Sequence, residues 1–449
     1  MASAAEQLAA NFNFGSFKKA DELKKRIWFT LGALIVYRLC TYVPLPGIDP
    51  VILSDIFGQL QGSGLVDMLN MFSGGALERM SIIALNIMPY ISASIIMQLL
   101  TSMSPTLGAL KKEGESGRKK INQYTRYGTV LLTAVQGYGL AVGLEAMTAS
   151  SGMSAVIDPG MFFRTTTVIT LIGGTMFLMW LGEQVTSRGV GNGISLIIFA
   201  GIVAELPRAL VQTLELGSTG TLSPMIIMGL LALAIALIYG IVYMERAQRR
   251  LLVQYPKRQV GNKMFQGDTS HLPLKLNTAG VIPPIFASSL LVMPATVASF
   301  QQGTSVGFLA DMAAVLGPGQ PLYIALYVAG IVFFAFFYTA IVFNPEETAD
   351  NLKKFGGFIP GIRPGEKTTE YLDYVLTRLT VVGAAYLSIV CIIPELLIAN
   401  LSVPFYLGGT SLLIIVNVTM DTVGQIHSHL MAHQYEGLIK KSKLRGGRK

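Results

Sequence analysis

The residues of this 449-residue chain that invite a chemical reading are four histidines, two cysteines and a short glycine run. His429 and His433 stand four apart, which puts both on one helical face and suits a metal pair, with His427 beside them. No HExxH motif or carboxylate set accompanies them, so a polar helix end is the reading taken. Cys40 and Cys391 each lie in a long apolar run, which excludes a disulfide framework and a zinc cluster. Gly189-Val-Gly-Asn-Gly193 resembles part of a phosphate-binding loop, but it follows an apolar span and not a strand; a tight turn opening a helix accounts for it. His271 lies on the same side of the chain's topology as the other histidines, so no Ser-His-Asp or Cys-His set can be assembled. Neither an enzyme nor a cofactor is expected.

The elements that carry these residues are apolar. Apolar residues make up 51% of the chain and charged ones only 13%, against about 25% charged in a soluble domain. The mean hydropathy of +0.53 agrees, and the composition implies an integral membrane protein. Ten runs approach the ~20 residues that cross ~30 Å of hydrocarbon: 27–43, 80–101, 124–143, 163–181, 193–210, 224–243, 276–299, 321–343, 377–397 and 403–424. Of the 34 Lys and Arg residues, all but Arg38, Arg79, Arg164 and Arg208 fall at the two termini or in alternate loops. That asymmetry places both termini in the cytoplasm and requires an even number of spans. The first 26 residues are polar, with no small-residue cleavage site behind the first run, so no cleavable signal peptide is expected.

Two features are unusual for a simple bundle. The outer stretch 64–77 is apolar and glycine-rich but too short to span, and it reads as a re-entrant or plug segment. The cytoplasmic loops 244–275 and 344–378 are long and basic. Span centres are nearly free of charge: Arg38 can snorkel from an outer helix end, and Glu205 and Asp421 lie near helix ends. A coupled solute carrier would need a buried relay, so its absence opposes that class while leaving a facilitator open. Ile87 and Ile91 share a face, with Ser92, Ser94 and Gln98 nearby, and Ser288 and Ser289 add polarity to the seventh run. Composition alone does not select a pore among them.

Longer segments carry a resemblance. Asn70-Met-Phe-Ser-Gly-Gly-Ala-Leu77, Ile87-Met-Pro-Tyr-Ile-Ser-Ala-Ser-Ile95, Lys111-Lys-Glu-Gly-Glu-Ser-Gly-Arg118, Met179-Trp-Leu-Gly-Glu-Gln184, His271-Leu-Pro-Leu-Lys275, Gly361-Ile-Arg-Pro-Gly-Glu366 and Pro404-Phe-Tyr-Leu-Gly-Gly-Thr-Ser411 are similar to the SecY family of protein-conducting channels. The resemblance runs in order from about Phe17 to Glu436. It implies an all-α membrane protein with ten transmembrane helices in two five-helix halves, an inverted pseudo-repeat around a central pore. The division is 1–26 as cytoplasmic segment, 27–212 and 213–424 as the halves, and 425–449 as cytoplasmic tail.

The resemblance also implies roles, residue by residue. An aliphatic pore ring falls on Ile87, Ile91, Ile198, Ile285, Ser289 and Ile414, and a plug includes Met68, Asn70, Met71, Phe72, Ser73, Gly74 and Gly75. Ser92 and Met293 match a lateral gate, and Arg250, Lys257, Arg258 and Arg363 match a docking surface. The family pattern is departed from at Asn86, Met293 and Asn417. The implied partners are small SecE-type and SecG-type membrane subunits, a SecA-type motor ATPase, the ribosome, preproteins with signal sequences, and membrane lipids. The implied place is the bacterial cytoplasmic membrane. The rival classes are a polytopic solute or ion transporter and an insertase without an open channel.

Overall fold

In a computed structural model the described residues are 21–60, 70, 73–146, 153–219, 223–256, 258–260, 263–265, 269–300, 320–401 and 409–446. Helix α1 (Asp21–Cys40) opens on Asp21 and Glu22 and carries Arg38 in its last turn, charges that complement the helix dipole. Its buried residues Leu23, Thr30, Ala33 and Tyr37 form one stripe, and Trp28, Ile35 and Leu39 are exposed. Large apolar groups outside and small or polar ones inside suit a lipid solvent, because hydrocarbon satisfies leucine as well as a protein core does.

A short α2 (Pro50–Leu60) is followed by α3 (Met88–Met103), which bends by 105° at Ser104 into α4 (Pro105–Lys112). In α5 (Glu115–Ala146) the buried Thr125, Thr129 and Thr133 each donate to the carbonyl four residues back, at 3.0, 2.8 and 2.7 Å. Their hydroxyls are thus satisfied within the helix, and the small side chains permit close helix contact.

Helices α6 (Met161–Arg188) and α7 (Gly193–Ser218) are joined by the glycine run, which forms a tight turn. Asn192 caps α7 by accepting from the Ile194 N–H at 3.1 Å, and Gln425 accepts from the Gly191 N–H at 2.8 Å. Helix α8 (Pro224–Arg246) leads into strands β1 (Gln248–Gln254), β2 (Arg258–Val260), β3 (Lys263–Phe265) and β4 (Thr269–Lys275). Next come α9 (Ile282–Phe300), α10 (Pro321–Val342), α11 (Pro345–Lys354), α12 (Glu366–Leu401) and α13 (Gly409–Gly446).

Each of the ten apolar runs overlaps a helix, α1, α3, α5 to α10, α12 and α13, and among the described residues six helices are long and apolar enough by themselves to cross a membrane. In the first group α5 packs on α3 and α6, and α6 on α1 and α7; in the second α10 packs on α9 and α12, and α12 on α13. The groups meet where α9 touches α3 and α5, and where α13 touches α1 and α7.

Three expectations change. The run 80–101 is not one helix: residues 80–87 are turns, and α3 begins only at Met88. Met80 (φ 42) and Asn86 (φ 48) adopt left-handed backbone, which helices exclude, and Asn is among the few residues that tolerate it. This irregular stretch is largely buried in protein, the condition for non-helical backbone at membrane depth. The loop 244–275 contains a hairpin, β1 pairing antiparallel with β4 from Gln248↔Lys275 to Gln254↔Thr269. Arg38 does not extend outward; it turns inward to donate to the Gly74 carbonyl at 2.8 Å.

Candidate functional site

Ile87, Ile91, Ile198, Ile285 and Ile414 line one cavity of about 10 Å³, together with Asn86, Met88 and Ser288. That volume holds at most about one water molecule. Ile87 immediately precedes α3 and Ile91 lies one turn on, while Ile198, Ile285 and Ile414 sit in the first two turns of α7, α9 and α13. Four helices separated widely in sequence thus contribute branched aliphatic groups to one point. Ile87, Ile91, Ile198 and Ile414 are buried there, and Ile285 packs against the same cluster. Such side chains are stiff at χ1 and offer no hydrogen bonds, so a narrow gap between them excludes water and ions. Ser289 does not line the cavity: it is buried one position along, its Oγ without a hydrogen-bond partner, and Ser288 takes the lining place.

The outer cap is held by polar bonds. Met68, Met71 and Phe72 lie outside the described residues, whereas Asn70, Ser73, Gly74 and Gly75 are placed. Tyr37 Oη donates to the Ser73 carbonyl at 3.3 Å, next to the Arg38 bond to Gly74. Gly74 (φ 65) presses against α7: a Cβ there would stand 2.8 Å from the Gly201 Cα, backbone that cannot yield. Glu78, just beyond, meets Arg208 of α7 at 2.8 Å. Partial burial pushes the Glu78 carboxyl up, but the Arg208 hydrogen bonds and charge, with Asn70 and Arg79, outweigh it and hold the carboxyl below its ordinary range. The pair is therefore complete above the ordinary carboxylate pKa and is lost only as acid protonates Glu78 through its lowered value.

The remaining predicted residues fall in two places. Ser92 is half-buried on α3, which packs against α9, the helix that carries Met293; the Met293 side chain lies outside the described residues. Arg250 is exposed on β1 opposite Pro273, Arg258 is on β2 with its side chain outside the described residues, and Lys257 lies outside them altogether. Arg363 is exposed in the turn before α12, where the Thr368 hydroxyl donates to its carbonyl at 2.9 Å. Gln254 and Phe358 exchange backbone hydrogen bonds at 2.9 Å each, which joins the β1 end to the Arg363 loop. Leu251 and Leu274 of the hairpin pack with Ala349, Ile359 and Leu372, so the two basic loops form one platform.

Two polar pairs were not found by reading the sequence. Glu78 and Arg208 are 130 positions apart, and no local signal links them. Glu245, buried at the end of α8, accepts from Asn277 Nδ2 at 2.7 Å, and Asn277 also bonds Gly280 just before α9. This ties the chain entering α9 to the end of α8. Among the described residues no group of three or more His, Cys, Asp or Glu side chains is placed to hold a metal ion.

A family model described as SecY matches residues 81–423. The protein translocase subunit SecY of Vibrio cholerae is 56% identical over 430 residues, covering 95% of this chain and 96% of that relative. A solved structure described as showing that the plug domain of the SecY protein stabilises the closed state of the translocation channel and maintains a membrane seal aligns with TM-score 0.59 at 20% identity, over 91% of this chain and 92% of that one. Sec61 in the canine ribosome-channel complex from the endoplasmic reticulum aligns with TM-score 0.57 at 17% identity, again over 91% and 92%. At these identities the two structures speak for the fold.

Proposed function

This chain belongs to the SecY family, and from that premise we propose that it is the channel-forming subunit of a protein translocase in the bacterial cytoplasmic membrane. Unfolded preproteins pass through its centre, and apolar helices leave sideways into lipid. The observation that carries the reading is the convergence of five isoleucines from four helices on one water-sized cavity. A dry aliphatic waist blocks ions at rest and presents no charge to trap a passing chain. A midplane binding site of the kind a coupled solute transporter needs would bring charged groups to that point, whereas the polar residues lining this cavity are the uncharged Asn86 and Ser288.

The two groups of helices are the halves 27–212 and 213–424, with the waist at their junction. The segment 64–77 acts as the plug of the waist; Gly74 within it bonds Arg38 of α1 and presses on Gly201 of α7. Ser92 and Met293 mark the exit between α3 and α9. An apolar side chain gains about 0.3–0.6 kcal/mol at the centre of a membrane helix, so a signal sequence of a dozen such residues is drawn outward with several kcal/mol once the helices part. No step in this scheme consumes a nucleotide, so energy comes from a partner: a SecA-type motor or the ribosome. SecE-type and SecG-type subunits complete the assembly.

The direct test stalls a translocating chain and asks what it touches. A cysteine-reactive probe on that chain should label an Ile285→Cys channel and leave Ile235→Cys, exposed on α8, unlabelled. Equal labelling at both positions would remove the waist from the path.

Arg363 is the proposed centre of docking, because its exposed guanidinium projects from a loop fixed to the hairpin platform. Arg363→Glu should reduce motor-driven transport by an order of magnitude or more, with membrane insertion and subunit assembly unchanged. Arg363→Lys should recover only part, since an ammonium cannot reproduce a planar bidentate contact. Normal transport by Arg363→Glu would reduce Arg363 to a topology charge.

A further inference from the structure

The outer surface carries an arrangement that the waist and the gate do not require. Arg208 Nη1 donates to Glu78 Oε2 at 2.8 Å and Nη2 to Oε1 at 3.2 Å, a two-pronged contact from α7. Asn70 Nδ2 donates to the same carboxylate at 3.1 Å, while the Glu78 N–H donates to Asn70 Oδ1 at 3.0 Å. Asn70 and Glu78 are therefore joined by two hydrogen bonds, and Arg208 fastens the pair to α7. Between them the Gly75 N–H donates to the Asn70 carbonyl at 3.0 Å, and the Leu77 N–H donates to Ser73 Oγ at 3.1 Å.

The two helices that hold this segment do so differently. Helix α1 uses backbone acceptors, the Ser73 and Gly74 carbonyls, which any sequence would supply. Helix α7 meets it at the Gly74–Gly201 backbone contact and through Arg208, which needs the Glu78 carboxylate. We propose that Glu78 is the fastening of a clasp, Asn70–Glu78–Arg208, that sets how readily the outer segment leaves the channel mouth.

The inference rests on the reading of residues 64–77 as a plug. The exposures suit a device that opens. The Glu78 side chain is 22% exposed and Arg208 43%, so water and salt reach the pair and hold it to the modest strength of a surface contact. A fully buried pair would be too costly to break in each cycle. Arg79 lies beside it, stacked on the Tyr42 ring at 4.4 Å with Arg38 over the same ring at 5.8 Å. Glu78 thus also lies in the field of two guanidinium groups, Arg208 and Arg79, with the Glu205 carboxylate close to Arg79 at Gly75.

The test uses the full chain with its membrane subunits in liposomes. Glu78→Gln keeps the shape and leaves one oxygen for the Asn70 bond, but removes the charge and one of the two acceptors of the fork; Arg208→Gln removes the fork from the other side. Hydrogen exchange of the 73–81 amides should quicken roughly three- to tenfold in each, as loss of a partly exposed charge-assisted pair predicts. A Glu78→Arg, Arg208→Glu double variant should slow exchange again relative to either single variant, though not to the parent rate because the Asn70 Nδ2 bond is lost and Arg79 is adjacent; a merely steric role would not produce that recovery. Exchange at the parent rate in both single variants overturns the clasp, and so does failure of the reversed pair to slow exchange in a protein that assembles normally. Resting ion leak separates the two readings. If leak rises with exchange, the clasp governs a seal. If exchange quickens and leak does not, the clasp stands and the plug reading falls.

Discussion

Oxidation of a Ser92→Cys, Met293→Cys double variant should stop polypeptide export, and reductant should restore it. The disulfide would join α3 to α9, helices that already pack against each other and that belong to the two groups meeting at the waist. It requires a Cα separation of about 4.4–6.8 Å. Lateral release requires the opposite, since a helix with its side chains is about 10–12 Å across. A covalent link cannot stretch to that width, so the expected loss is complete and not partial. Each single cysteine should export normally under oxidant. A linked channel that exports at full rate would move the exit elsewhere. No disulfide in either the resting or the active complex would show that positions 92 and 293 do not face each other.

Ile414→Asn should both wet the waist and loosen it. Ile414 is 2% exposed and lines the cavity with Ile87, Ile91, Ile198 and Ile285. Burial of one such side chain contributes roughly 1.5–3 kcal/mol, and each 1.4 kcal/mol lost shifts a closed–open equilibrium about tenfold. An amide at that point also gives water a partner in a space that now excludes it. Two results should appear together: higher resting conductance in planar bilayers, and export of substrates whose signal sequences are too weak to open the parent channel. Ile96→Asn, at an exposed position on α3, should produce neither. An Ile414→Asn channel as tight and as selective as the parent would place Ile414 outside the barrier.

The sequence by itself pointed to the apolar helices and to the sidedness of the basic residues, because each depends on local quantities. A run of apolar residues pays for its passage through lipid wherever it stands in the fold, and the sidedness of Lys and Arg is counted without knowing any contact. The structure adds a helix that local rules explain where the sequence reads as loop: Asn344 caps α11 ahead of Glu346 and Glu347, with Lys353 and Lys354 at its far end.

Tertiary structure decided the rest. Isoleucine is as content against lipid as against protein, so nothing local distinguishes Ile414 from Ile389, which is exposed on α12; only the meeting of four helices does. The run 80–101 carries enough apolar residues for a full helix, yet its first part is turned because the protein around it satisfies backbone that lipid would not. Glu78 and Arg208 stand 130 positions apart with no local signal to join them. Their pairing exists only because Gly74 brings the chain onto Gly201 of α7, a contact between backbones that has no signature in side-chain type or spacing.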